Sequence, residues 1–510
     1  MIWKIAKKEF LQCFRAHKLT VSMLVCCTLM PLSVFVMLLD YDNRYANYAE
    51  GRLREALGRY EFAECCGYDN RTTYPDNAGI KKPSKLSIFS KGIENNLSGT
   101  FELESNWLEP FFGMRQERNI YASIFGSFDL LLVTKLAIGL LAISLGCTTV
   151  VSERESGTLA LILSNRIGRF HLITGKILGD IPAVLGPYVC GLTLSLLLIM
   201  FWPSWSLGFE ELPSTLLIFL ILTIYVIFSY LLGVAVSCLC KMTTTASVMA
   251  VVVWLITVVL LPLLLLYCAE IAHDVPTIEV STQQKIDAAR AMLEEARPHF
   301  SRSGGNTKYG LPIIRGELGE DTMYRQAEIM RNVDERVIRL ERTQINFARS
   351  LLALLPCGAL TNMVGDLTGT SPEIYPEYKF AGLKVAEAIL DRRYPTIDQW
   401  IRMFRGSLSP EQFMWGVHES FSNYVKRCDL NEEKVMSLLK NPVYDRDSRP
   451  LEVSWLWPDY DVIAEAPKYI GSLEPERTLG HVDLISLIAA TFICFALSGC
   501  LIMKYDVRPS

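Results

Sequence analysis

Charge is scarce in this sequence. Asp, Glu, Lys and Arg make up 20% of its 510 residues, and hydrophobic residues make up 50%. A soluble chain of this size carries more charge, so the composition points to a membrane protein with sizeable soluble parts. The formal net charge of −4 argues against nucleic-acid binding, which calls for a concentrated basic face. The 14 cysteines include no C-x-x-C pair, and most lie in apolar runs where Cys behaves as a small hydrophobe, so a structural zinc site is not expected. His418-Glu419 lacks the second His of a zinc protease motif and reads as surface. There is no Walker A sequence: Ile177 follows Gly175-Lys176 where Ser or Thr must bind magnesium, and Phe170 stands where the first Gly belongs. The chain therefore has no usual cradle for ATP. No tandem repeat occurs, and no apolar run carries the paired acids or His cluster of an intramembrane enzyme.

Long apolar runs are what the sequence does have. About 20 helical residues cross a bilayer core, and six runs qualify: 19–39, 128–151, 181–201, 213–239, 246–267 and 484–503. The first is preceded by a basic amphipathic stretch, residues 1–18, and lacks a clean small-residue cleavage pattern after it, so a cleaved signal peptide is not expected. Short polar segments near span ends set orientation. Lys4, Lys7, Lys8, Arg15 and Lys18 precede the first span against one acid, Glu9. Arg154, Arg166, Arg169 and Lys176 lie between the second and third, Lys241 between the fourth and fifth, and Lys504 and Arg508 after the sixth. Both termini and the 152–180 segment are thus expected in the cytoplasm, with 40–127 and 268–483 outside.

The external segments read as folded. Met330, Val333, Val337, Leu340 and Ile345 recur at helical spacing within 320–355, and 281–297 carries a second helical pattern. Gly and Pro make 301–312 a loop, and three prolines with two tryptophans make 441–460 an extended covering segment. The expected fold is an all-α polytopic membrane protein with six transmembrane helices and one mostly helical extracytoplasmic domain built from the two insertions. Cys65, Cys66, Cys268, Cys357 and Cys428 lie on that side; their odd number and the adjacent pair exclude full pairing and leave room for one bridge.

The stretch VVSERESGTLALILSNRIGRFHLITGKILGDIP, Val150–Pro182, is compact, charged and helix-forming, with no catalytic residue pattern. Its charged ends and its apolar ridge of Leu159, Leu161, Ile162 and Leu163 suit a helix docking into a groove of another protein. The same residues also read as a solvated helix start, its acids favoured by the helix dipole. Asp129 opens the second apolar run. Lys135 lies inside it, where an ionisable group is a functional candidate, yet about two turns from the end, so outward snorkelling is expected. Pro182, Pro187 and Pro262 read equally as hinges and as residues tolerated near span ends.

Glu153-Arg154-Glu155-Ser156-Gly157-Thr158-Leu159, then Leu163-Ser164, Arg169 and Gly175-Lys176, resembles the coupling segment of ABC-2 type permeases, the membrane subunits of ATP-binding cassette transporters. Lys7-Lys8-Glu9-Phe10 fits their interfacial helix, and Asp129 the start of their second span. The tail Lys504-Tyr505-Asp506-Val507-Arg508 resembles the ending of the branch with large external insertions. Phe347–Gly369 fits as well, with Leu355 rather than Ser before Pro356. The resemblance implies a multi-pass protein of the bacterial cytoplasmic membrane that pairs with a second permease subunit, identical or related, and docks on a separate ABC ATPase. ATP and magnesium would sit in that ATPase; this chain would hold no cofactor or metal and do no chemistry. Glu153, Arg154, Glu155, Gly157, Thr158, Leu159, Leu163, Arg169 and Lys176 would couple ATP hydrolysis to movement of a substrate, in the direction of export. The large external part keeps a second reading open: a mechanotransmitter that delivers the ATPase's work to extracytoplasmic partners and moves no substrate.

Overall fold

In hydrocarbon a backbone must satisfy its own hydrogen bonds, and a single apolar segment does so as a helix. The computed structural model of the chain describes residues 2–15, 18–65, 79–80, 82–95, 100–104, 109–112, 128–164, 168–203, 205, 208–209, 211–296, 317–384 and 480–503. Among these, six helices are long and apolar enough to cross a membrane: Lys18–Ala49, Leu130–Glu155, Arg169–Met200, Leu212–Leu239, Thr243–Ala272 and His481–Met503, hereafter spans one to six. Their number and order agree with the sequence reading. Two run further than the apolar pattern alone suggests. Span one belongs to a helix of 48 residues, Lys18–Cys65, about 72 Å long at 1.5 Å per residue. Residues 44–65 are rich in Ala, Glu, Arg and Leu and contain no Pro, so nothing stops the helix once the apolar run ends. The helix of span three begins at Arg169, so Lys176 and Asp180 belong to its first turns. Pro182 and Pro187 both lie inside this continuous helix, and Pro262 opens the turn that follows a π-helical segment in span five.

Span four is the centre of the bundle, with 67% of its apolar window buried, whereas span five has 17% buried and turns most of its surface outward. Span four packs on spans two and six, and span three packs on span one and on the N-terminal helix Ile2–Arg15. The crossing of spans two and four is close because each brings a glycine to it. A Cβ on Gly146 would stand 2.3 Å from the Tyr230 carbonyl oxygen, and one on Gly233 would stand 2.3 Å from that of Ile143. Such small-residue contacts let transmembrane backbones approach.

The two insertions leave the same end of the bundle and pack together. Ile93 donates its N–H to the Thr370 carbonyl (3.1 Å), and Ser84 Oγ donates to the Thr368 carbonyl (2.5 Å). The Pro356–Thr368 helix sits between them and spans four and six, starting with Pro and closing at Gly369 in the left-handed region (φ 71°). The first insertion also forms a small antiparallel sheet, β1 (Gly79–Ile80), β2 (Thr100–Glu104) and β3 (Glu109–Phe112), in the order β1-β2-β3. The Phe-rich β2 and β3 segments, short and without helical periodicity, favour this pairing. The rest of the described part of the insertions is mostly helical. The helices Ile278–Ala296 and Glu317–Leu352 match the expected positions, joined by an ion pair between Lys285 and Asp334 (2.7 Å).

The buried face of Glu317–Leu352 differs in detail from the expected stripe. Met330 and Ile345 are buried as expected; Val333 and Val337 are half-buried, Leu340 is exposed, and Ile338 and Ala348 are buried instead. The face is shared with charge: Asp334 meets Lys285, and Glu341 meets Lys379 of the neighbouring helix at 374–384 (2.7 Å). Apolar spacing alone misses a stripe whose turns alternate ion pairs with hydrophobes. Segments 301–312 and 441–460, His418, Glu419 and the tail 504–508 lie outside the described residues. So do Cys66, Cys428 and the side chain of Cys65; Cys268 and Cys357 are free thiols, and Cys357 is buried, its Sγ donating to the Thr257 carbonyl (3.1 Å).

Candidate functional site

At the end of the bundle opposite the insertions, span two turns at 147–150 and closes in a short helix, Val151–Glu155, and a second turn at Gly157 leads into the helix Thr158–Ser164. Gly157 has φ +74° and donates its N–H to the Arg154 carbonyl (3.2 Å). That left-handed conformation suits glycine. An added Cβ would meet nothing within 4 Å, so the requirement comes from the backbone and not from crowding.

The three charges before it each bind a different element. Glu153 is buried, and its carboxylate pairs with Lys176 of span three (2.9 Å) and with Lys8 of the N-terminal helix (3.6 Å). Arg154 Nη1 donates to the Cys240 carbonyl at the end of span four (3.0 Å). Glu155 Oε2 accepts the Thr243 N–H at the start of span five (2.9 Å), where the helix exposes unsatisfied donors that an acid complements. The turn before these charges is pinned too, because Ser237 Oγ accepts the N–H groups of both Val150 and Val151 (2.9 Å each). Ser156 and Thr158 then bond back to the Glu153 carbonyl (3.2 Å each).

Lys176 is the hub. It is 1% exposed, and its ammonium also reaches Glu9 Oε1 (3.0 Å) and donates to the Thr149 carbonyl (3.3 Å). One cation thus joins the N-terminal helix, the end of span two, and span three. One turn further along span three, Asp180 accepts from Thr149 Oγ1 (2.9 Å) and from the Tyr230 hydroxyl of span four (3.0 Å). These groups line a polar cavity of about 200 Å³ between the N-terminal helix and spans one to four. Arg169 Nη1 donates to the Met503 carbonyl, the last residue of span six (2.6 Å). The segment is therefore bonded to the ends of spans three, four and five, and through Arg169 the next helix is bonded to span six.

Of the sequence-selected residues, Glu153, Arg154, Glu155, Arg169 and Lys176 come together here through these bonds. Leu159 is buried in the core, whereas Thr158 and Leu161 are exposed, Leu161 at 69%. The side chain of Leu163 and all of Arg166 lie outside the described residues. Asp129 and Lys135 lie at the other end and take no part. Asp129 caps span two: its Oδ1 accepts the Leu132 N–H (2.8 Å) and its Oδ2 the Lys91 N–H (3.0 Å). Lys135 does not snorkel outward as expected. It is 5% exposed, and its ammonium reaches Thr361 Oγ1 of the Pro356–Thr368 helix (3.5 Å). The second insertion folds back over the end of span two, so the outward route is roofed by protein. Sequence reasoning missed Asp180, Tyr230, Ser237 and Thr243 as partners. Two signals were present: Glu9 is the one acid among the N-terminal basic residues, and Asp180 is an acid at the threshold of an apolar run.

A protein-family model described as ABC-2 family transporter protein matches residues 3–309. The chain belongs to that family. The matched stretch takes in the N-terminal helix, spans one to five and the whole constellation around Lys176, apart from the Met503 carbonyl of span six. This ABC-2 chain is accordingly a multi-pass membrane protein of the ABC transporter permease type, and the family implies an ABC ATPase subunit as its partner. No curated protein matches the sequence.

Proposed function

We propose that this ABC-2 chain is an exporter permease in which the Val151–Ser164 segment receives force from the ATPase and distributes it to spans three, four and five. The observation that carries the reading is the division of Glu153, Arg154 and Glu155 among span three, span four and span five. A push on a segment bonded in this way moves helix ends together, as a rigid-body switch biased by a partner requires. Glu153 faces inward and Arg154 is half-buried, so the surface left for the ATPase is the exposed run from Glu155 to Thr158 with Leu161. In this reading the segment and both termini face the cytoplasm, the insertions lie outside, and a second permease subunit completes the transporter. The ATPase holds ATP and magnesium, and this chain does no chemistry.

Mechanotransmission is the second reading, favoured by the ties between insertions and spans. Asn362 Nδ2 donates both to Asp483 Oδ1 of span six (3.0 Å) and to the Arg349 carbonyl (3.2 Å), so movement of span six reaches the external helices directly. Cargo flux in proteoliposomes containing the chain and its ATPase separates the two: ATP-driven flux supports export, whereas ATP hydrolysis that responds to the external domain without flux supports mechanotransmission. Orientation is tested by Leu161→Cys. Labelling of that thiol in intact cells by a membrane-impermeant reagent would overturn the cytoplasmic placement.

A further inference from the structure

Where the second insertion returns to the bundle, one guanidinium stands among three carboxylates. Arg349, near the end of the Glu317–Leu352 helix, pairs with Asp366 and with Glu373 (3.0 Å), and its Nη1 reaches Ser371 Oγ (3.5 Å). Asp483, in the first turn of span six, is the third acid, close enough to add to the field at Arg349. Asn362 and Asp366 lie four residues apart and so share one face of the Pro356–Thr368 helix. Asp366 and the Asn362 bond to the Arg349 carbonyl (3.2 Å) seat that face on the Glu317–Leu352 helix. The Asn362 bond to Asp483 (3.0 Å) seats it on span six. The cluster is thus the joint between the second insertion and span six.

The joint carries more negative charge than positive, and its surroundings do not correct the excess. Lys135 and Asp129 of span two line a cavity of about 80 Å³ together with Arg349 and Glu373, and bring one charge of each sign. In the first insertion Lys85 is paired with Glu211 (2.9 Å) and Glu94 with Arg44. Span four, packed on the Pro356–Thr368 helix, contains no charged residue. Like charges that share a site favour uptake of a proton by one of them. Solvation and partners decide which. The Glu373 side chain is 40% exposed, so water holds its charge, and Asp483 has the Asn362 amide as donor. The Asp366 side chain is 9% exposed and shares the Arg349 guanidinium with Glu373. Burial pushes its carboxyl up from 3.8 to about 6 against the pull of Arg349, with Glu373 adding to the rise.

We propose that this cluster is a proton-operated clasp: uptake of a proton at Asp366 seats the Pro356–Thr368 helix more firmly between the Glu317–Leu352 helix and span six, so acid at the insertion end stiffens the tie between the second insertion and span six. The clasp works alike in an exporter and in a mechanotransmitter. Opening the joint exposes Asp366 to water and returns it to its ordinary value of 3.8. The closed joint therefore gains on the open one as pH falls through about 6, and gains nothing further below about 4. Between pH 7 and pH 5 the closed-to-open ratio rises about tenfold. The test is amide hydrogen exchange of the purified full chain in neutral detergent, read on peptides from 356–369 and 481–487 and corrected for the intrinsic pH dependence of exchange. Protection of both segments should be about tenfold greater at pH 5 than at pH 7, with span four unchanged. Asp366→Asn, uncharged at both pH values, should abolish the step and keep protection near the wild-type level at pH 5. Glu373→Gln removes the crowding charge and should shrink the step; as a change at a half-buried residue it keeps the test valid if Asp366→Asn fails to fold. Equal protection at the two pH values in the wild type overturns the proposal. So does an undiminished step in Asp366→Asn or, should that variant not fold, in Glu373→Gln.

Discussion

Lys176 Nζ lies 2.9 Å from Glu153 Oε2 and 3.0 Å from Glu9 Oε1, at a site where the lysine side chain is 1% exposed. A buried cation between two carboxylates draws its geometry from both, and removing it strands two acids. We expect Lys176→Met to destabilise the chain by about 3–5 kcal/mol, the usual loss when one member of a buried pair is deleted. Adding Glu153→Gln should recover part of that loss, because one stranded charge is removed. Apparent melting points in detergent check both, and an unchanged midpoint for Lys176→Met would show that the network contributes nothing to the fold.

Glu155 gives a different expectation because it is exposed and serves as a cap for span five. Glu155→Gln keeps an acceptor for the Thr243 N–H and should cost little. Glu155→Lys puts a positive charge beside that N–H and the positive helix end, so it should loosen the joint between the segment and span five. The chain should still insert. Co-purification of the ATPase and coupled ATP hydrolysis should fall in the order wild type, Gln, Lys. Equal activity in all three would remove the cap from the coupling route.

At Gly157 the constraint is φ +74° with open space around the would-be Cβ. Gly157→Val should therefore cost about 1–3 kcal/mol through backbone strain, whereas Gly157→Asn, which tolerates the left-handed region, should retain most stability and ATPase binding. A crowding mechanism within the chain would instead penalise Asn and Val alike. The comparison of their melting points decides between the two.

Asp366, beside Arg349 at the insertion end, provides a pH signature. Burial pushes its carboxyl up from 3.8 to about 6, with the Arg349 guanidinium pulling the other way. The folded chain thus holds this proton more tightly than the unfolded chain does. Stability from this group is full below about 4 and is lost as pH rises through about 6. We expect the melting point to gain a component on acidification from pH 7 to pH 5 that Asp366→Asn abolishes. A slope of the same size in the Asn variant would assign it to other groups.

The legibility of this protein from its sequence follows the range of the forces involved. Span number, span order and the two long insertions between spans were readable because each depends on the apolarity of one contiguous segment, and a segment of about 20 apolar residues has one way to satisfy its backbone in lipid. The Val151–Ser164 segment was readable as a cluster of charges beside Gly157, since its residues are adjacent in the chain. What those charges bind was not readable. Glu153 and Lys176, Glu155 and Thr243, Arg154 and Cys240 belong to different helices, and no local pattern specifies which helix ends become neighbours. Lys135 shows the same limit. Its place within a span suggested an outward-reaching side chain, and only the return of the Pro356–Thr368 helix over the end of span two encloses it. Apolar length is a property of one segment and is decided by the sequence alone; the pairing of charges at helix ends depends on how the helices pack, and only the tertiary structure decides it.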